Sequence, residues 1–233
     1  MLSLGRSFIV LALSSLPFLS TSSFAEPQWE KIGIDNGVEV FRKQIPGSPL
    51  VGFKGVKVMN LPITKVSQVI LDRNPELQKK WIDRIQDFQI IEQTPYSAIF
   101  YSSYGLPWPI ANRDYVIRSE LKIDNELNRL FISLQSIEHP KAPKTIGVRA
   151  ELVNSRYEII PLPNNQTQVT VEILTDPKGS LPSWLVNLIQ RGWPAATLNN
   201  MERQAALPET PHNKLIQREL KVLQQYSMKP LAH

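Results

Sequence analysis

From Asp87 to Thr175 the chain runs through one short alternating segment after another, each bounded by turn residues, before switching to helical spacing. The segments are Asp87–Glu92, Ser97–Tyr104, Asp114–Ile123, Arg129–Ile137, Gly147–Pro161 and Gln166–Thr175. Period-two alternation marks half-buried strands, and their close succession predicts a meander of antiparallel partners. Another pair precedes them. Gly37–Lys43 follows the turn signal Asp35-Asn36-Gly37, and Leu50–Met59 follows Pro46-Gly47-Ser48-Pro49, which together predict a hairpin. Gly52 and Gly55 within it point to a bend or a close backbone approach. A sheet of this size is expected to curl strongly.

Helical spacing occupies the remainder. Ile63, Val66, Val69 and Ile70 recur every three or four residues in Pro62–Asp72, and Asn74 caps a second short helix on which Leu77 and Trp81 share a face. After Lys178–Ser183, an apolar side made by Trp184, Leu185, Leu188 and Ile189 continues through Leu198, Met201 and Ala205, with a kink expected at Pro194. Pro208 and Pro211 end that long helix, and Leu215–Tyr226 predicts one more. The fold class is α+β: a strongly curved antiparallel sheet wrapped around a long C-terminal helix.

Arg6, the apolar run Phe8–Leu19 and the small stretch Ser23-Phe24-Ala25 predict an export signal over 1–25. Its apolar core is about a dozen residues, against the roughly 20 that a membrane span needs. The rest divides into one domain over 26–211 and a helical extension with a tail over 212–233. The expected compartment is the bacterial periplasm, with secretion or peripheral membrane attachment as alternatives. With no cysteine in the chain there is neither a disulfide scaffold nor thiolate chemistry. A net charge of +5 spread along the chain does not make the concentrated stripe that nucleic acid requires.

The order of hairpin, two short helices, antiparallel meander and final helix resembles a START-type lipid-transfer domain, the helix-grip fold of the Bet v 1-like superfamily. The resemblance rests on Trp29 with Gly37-Val38-Glu39-Val40, on Trp81, and on Pro107-Trp108-Pro109 with Asn112-Arg113-Asp114-Tyr115-Val116. It continues through Gly147-Val148-Arg149 and Asp176-Pro177-Lys178-Gly179 with Leu181-Pro182 and Trp184, and so covers about Trp29 to Leu207. It implies reversible binding of a lipid or sterol in an internal apolar cavity, with the last helix across its mouth.

Candidate ligand-binding residues follow. Trp184, Leu188, Trp193 and Leu198 form the apolar face of the final helix, suited either to lining a pocket or to plain core packing. Tyr101, Tyr104 and Trp108 join apolar area to a hydrogen-bonding tip, which suits orientation of an amphiphile, and the resemblance adds Tyr115. Alternation sets Tyr101 and Ser103 opposite Phe100 and Ser102 without deciding which set faces inward. Arg113 and Asp114 are adjacent and hence on opposite faces, where they either brace the Pro107–Pro109 turn or meet a polar head; Arg149 is a further head-group candidate. Lys141 and Lys144 in the proline-studded loop can face an anionic bilayer.

His139, His212 and His233 form no metal-ligand cluster, and no P-loop, dinucleotide fingerprint or nucleophile elbow is present. No catalytic residue, metal or cofactor is assigned. The leading expectation is noncatalytic lipid binding and intermembrane transfer. A cyclase-like enzyme acting on a hydrophobic or aromatic substrate and an exported structural or protein-interaction domain are the rivals; a protein partner is unknown.

Overall fold

The computed structural model describes residues 28–124 and 126–227; the expected export signal and the final tail lie outside the described residues. The chain forms β1 (Glu30–Asp35), β2 (Val38–Gln44), β3 (Val51–Met59), α1 (Ile63–Leu71), α2 (Pro75–Trp81), β4 (Ile85–Gln93), β5 (Ser97–Tyr104), β6 (Arg113–Asp124) and β7 (Arg129–Ser136). Three short strands and two longer ones follow: β8 (Val148–Arg149), β9 (Glu151–Leu152), β10 (Ser155–Leu162), β11 (Gln166–Ile173) and β12 (Thr175–Asp176). Helices α3 (Ser183–Arg191), α4 (Trp193–Ala206) and α5 (Lys214–Ser227) complete it.

Turn chemistry sets the hairpins. Asn36 and Gly37 both take positive φ, 48° and 78°, the conformation of a tight two-residue turn between β1 and β2. Asn164 and Asn165, at 58° and 61°, take the same left-handed conformation in the three-residue turn Pro163–Asn165 between β10 and β11. Expected strand Gly147–Pro161 divides into β8, β9 and β10, with Asn154 at φ 45° just before β10. β8 then pairs parallel with β6, and β9 pairs with β12 in a separate small sheet.

The main sheet runs β1-β2-β3-β11-β10-β7-β6-β5-β4, with β8 added beside β6. This corrects the expectation of a strongly curved sheet wrapped around the last helix: the sheet is neither strongly curved nor closed. Its path ends on β1 and β4, which do not pair with each other. Both margins carry register breaks, at Lys31/Gly33 in β1 and at Ile85/Asp87 and Ile90/Glu92 in β4. Such irregularities interrupt a ladder and discourage further pairing at an edge. Helices cover the inner face instead: α2 packs on β4, while α4 packs on β2, β3 and β11.

The final helix breaks at Gly192 rather than bending at Pro194. Pro194 falls in the first turn of α4, where its missing N–H costs no intrahelical bond. Gly55 in β3 explains how closely α4 seats. A Cβ there would stand 2.8 Å from the Pro194 Cβ and 3.2 Å from a Leu198 methyl, so only glycine admits this approach. Val38, Met59, Ile132, Ile159, Leu198 and Met201 are fully buried in the core below. Each such side chain contributes roughly 1.5–3 kcal/mol of transfer free energy. On α5, Ile216 is fully buried, and the Asn213 N–H donates to the Thr64 carbonyl at 2.8 Å, tying that helix to α1.

Candidate functional site

Between the inner face of the sheet and the helices lies a cavity of about 160 Å³. Strand parity decides its wall. Phe100 and Tyr104 from β5, Tyr115, Ile117 and Ser119 from β6, and Ser155 and Tyr157 from β10 all point into it. The register supports this, since Phe100 pairs with Ile117 and Tyr157 with Val171, another lining residue. Trp193, Ala196 and Thr197 of α4 close one side, and Ile70, Asp72, Arg73, Gln78 and Trp81 from α1, α2 and their connection close another. A smaller cavity of about 30 Å³ sits under α3 against Val186, Ile189 and Gln190. The two share Tyr104, Leu106, Tyr115, Thr175 and Trp193 as a common wall.

Three phenols, Tyr104, Tyr115 and Tyr157, stand in the wall. Tyr104 meets Tyr115 edge-on with centroids 5.6 Å apart and lies 6.4 Å from Trp193. Burial pushes the pKa of Tyr104, Tyr115 and Tyr157 upward, and the nearby Ser102 and Thr175 hydroxyls pull Tyr104 and Tyr115 back in part without completing a hydrogen bond. Thr175 Oγ1, Ser102 Oγ and Gln190 Oε1 are buried without a hydrogen-bond partner among the described residues. A buried polar atom left unpaired costs about 1–3 kcal/mol. Of these atoms Thr175 Oγ1 belongs to the shared wall, which therefore offers one unpartnered hydroxyl to a ligand.

Of the residues singled out in the sequence, Tyr104, Tyr115 and Trp193 line this cavity. Tyr101 takes the outer face of the sheet, its ring 5.8 Å beneath the Arg149 guanidinium. Leu198 is fully buried in the main core against Gly55 rather than at the cavity. Trp108, in the loop between β5 and β6, is 92 % exposed, and Trp184 and Leu188 project into solvent at 67 and 62 % because α3 turns Val186 and Gln190 inward.

Arg113 and Asp114 do point to opposite faces. Arg113 is buried and donates to the carbonyls of Ala111, Pro177 (3.0 Å) and Lys178 (3.1 Å), which fastens the start of β6 to the approach of α3. Asp114 is fully buried and accepts from the Arg149 guanidinium, the Thr145 hydroxyl (2.5 Å) and the Ile146 N–H (3.3 Å). Arg149 also donates to the Pro143 carbonyl at 2.8 Å, so both arginines are engaged with the protein itself. Lys141 stands 3.7 Å from Glu92, and Lys144 is exposed. Sequence reasoning missed Tyr157 and Arg73 as lining residues. Tyr157 could have been found from alternation in β10, whereas Arg73 carries no periodic signal.

The START domain family model matches residues 18–205. An uncharacterized protein of Pseudomonas aeruginosa is 26% identical over 185 residues, covering 76% of this chain and 86% of that protein. Phosphatidylcholine transfer protein of Bos taurus is 26% identical over 164 residues, covering 68% of this chain and 75% of that protein. The fold is similar to the crystal structure of a STAR-related lipid transfer protein fragment from Xanthomonas axonopodis, with a TM-score of 0.68 and 21% identity over 77% of this chain and 99% of that one. The matched span takes in the sheet, α1 through α3 and nearly all of α4, and the chain belongs to the START domain family.

Proposed function

We propose that this protein binds a lipid or similar hydrophobic molecule in the cavity and carries it between membranes without chemical change. The observation that carries this reading is a largely apolar hollow whose wall includes three phenols and a Thr175 hydroxyl without a protein partner among the described residues. Apolar wall supplies affinity, at roughly 25 cal/mol per Å² before binding costs, and the hydroxyls supply orientation. Similarity to a phosphatidylcholine transfer protein supports the same class of cargo. Catalysis is disfavoured by the lining itself. Phenols whose pKa is pushed up by burial keep their protons at neutral pH and act as hydrogen-bond donors rather than bases.

At about 160 Å³ the cavity is close to an engineered hollow of roughly 150 Å³ that accepts benzene, and below the roughly 300–1,000 Å³ of drug-sized sites. Loading thus requires expansion. Swinging α3 about Gly192 with displacement of Trp193 would merge the two hollows across their common wall. The loops bearing Trp108 and Ile146 and the approach to α3 are rooted together at the start of β6, through the Val148 N–H to Asn112 carbonyl bond of 3.0 Å and the Arg113 contacts. Exposed Trp108, Ile146, Trp184 and Leu188 then give this end an apolar contact for a bilayer, with Lys141 and Lys144 worth about 1 kcal/mol each beside anionic lipid. The signal-like pattern over residues 1–25 supports the bacterial periplasm as our reading of the compartment, with secretion or peripheral membrane attachment as alternatives.

Native mass spectrometry of the purified protein, with solvent extraction and a donor-to-acceptor vesicle assay, tests the proposal. We expect a co-purifying hydrophobe and transfer that slows several-fold, with loss of salt sensitivity, when Lys141→Gln and Lys144→Gln are combined. Recovery of no hydrophobe together with no transfer would remove the function.

A further inference from the structure

Resting on the lipid-binding reading above, we propose that Arg73 anchors the anionic head, a carboxylate or a phosphate monoester, of an amphiphile whose apolar portion occupies the cavity. Two arginines line this hollow, and their situations differ. Arg84 is paired with Asp83 at 3.5 Å, and both side chains are about half exposed, so the hollow opens toward solvent along this rim. Arg73 is half-buried and has neither an ion pair nor a hydrogen bond among the described residues. A guanidinium presents five N–H donors in a rigid fork that matches carboxylate and phosphate oxygens.

The carboxylates along the wall are already engaged. Glu172 is held by Arg156 at 3.0 Å. Asp72 accepts from the Gln68 amide and from the Asn74 N–H, both at 2.7 Å, so its charge steadies Arg73 while its oxygens are in use. Burial lowers the Arg73 pKa, the direction for a cation short of acceptors, although arginine remains protonated at any physiological pH. Local structure also fixes its place. Asp72 is the C-cap of α1 and Asn74 the N-cap of α2, so Arg73 sits on a corner held by helices on both sides. Tyr104 and Tyr115 belong to the wall shared with the α3 hollow, whereas Arg73 belongs to the α1–α2 side. A ligand spanning the hollow would meet hydroxyl donors at one end and a cation at the other.

Isothermal titration of the purified protein at pH 8 and low salt, with decanoate, decyl phosphate and 1-decanol as probes, decides the matter. Decanoate is fully ionised there, since carboxyl groups titrate near pH 4. At least one of the two anions should bind ten-fold or more tightly than decanol, the tighter one identifying carboxylate or phosphate as the head. Arg73→Gln should abolish that margin while leaving decanol affinity within two-fold, which also shows that the variant is folded. Arg73→Lys should keep part of it. The assignment is overturned if decanol binds as tightly as both anions, or if Arg73→Gln preserves the anion's advantage. If none of the three probes binds, the lipid-binding reading falls together with it.

Discussion

Tyr157 shows how a single side chain links stability to the hollow. Its hydroxyl has no hydrogen-bond partner among the described residues, and burial raises its pKa above the ordinary value of 10.0. As pH rises past about 10 the unfolded chain releases phenolic protons that the folded chain retains, so the unfolded state binds fewer protons and stability falls. Tyr157→Phe should therefore leave urea unfolding at pH 7 within about 1 kcal/mol of wild type, because no bond is lost. It should also flatten the decline in stability between pH 10 and 11. An unchanged alkaline decline would show that Tyr157 does not govern it. Arg113, Asp114 and Arg149 illustrate the opposite condition. Their donors and acceptors are spent on the protein, which makes them fasteners of the loops around β6.

Among the elements, the break between α3 and α4 invites a direct experiment. Gly192 has φ −82° and ψ −15°, a conformation any residue adopts, and a Cβ there would meet nothing within 4 Å. Gly192→Ala should accordingly raise stability by about 0.4–1 kcal/mol, seen as a higher urea midpoint, through loss of unfolded-state freedom. If α3 swings during loading, the same change should slow vesicle-to-vesicle transfer. The strands were widely legible in the sequence because alternation and turn residues coincide, as at Ser97–Tyr104, which matches β5 end to end. β1 was not, since nearly all its side chains are exposed and no alternation is selected. The cavity wall was harder to read. Alternation pairs Tyr101 with Ser103 and Phe100 with Tyr104, but only the contacts of neighbouring strands decide which pair turns inward. On the final helix, the apolar face of α3 was visible while its outward aim was not, and Arg73 resembled an ordinary helix-connecting residue.

For the molecule as a whole, folding and cargo are coupled by mass action. A ligand held only by the folded state adds about 2.7 kcal/mol at a hundred times its Kd. Protein stripped of bound lipid by detergent exchange should melt several degrees lower than protein reloaded with its extracted hydrophobe, as read by calorimetry. Equal melting temperatures would mean that the hollow takes up nothing. The open strand order matters here as well. In a closed barrel, strand number and stagger dictate one girth. Among the described residues no rung joins the two outermost strands, and α2, packed on β4, meets α4, packed on β2 and β3. Under the proposed function, such a mould would gape for a bulkier guest and shrink around a slender one while its ladders stay intact, which would build tolerance of calibre into the scaffold and leave discrimination to a few polar atoms.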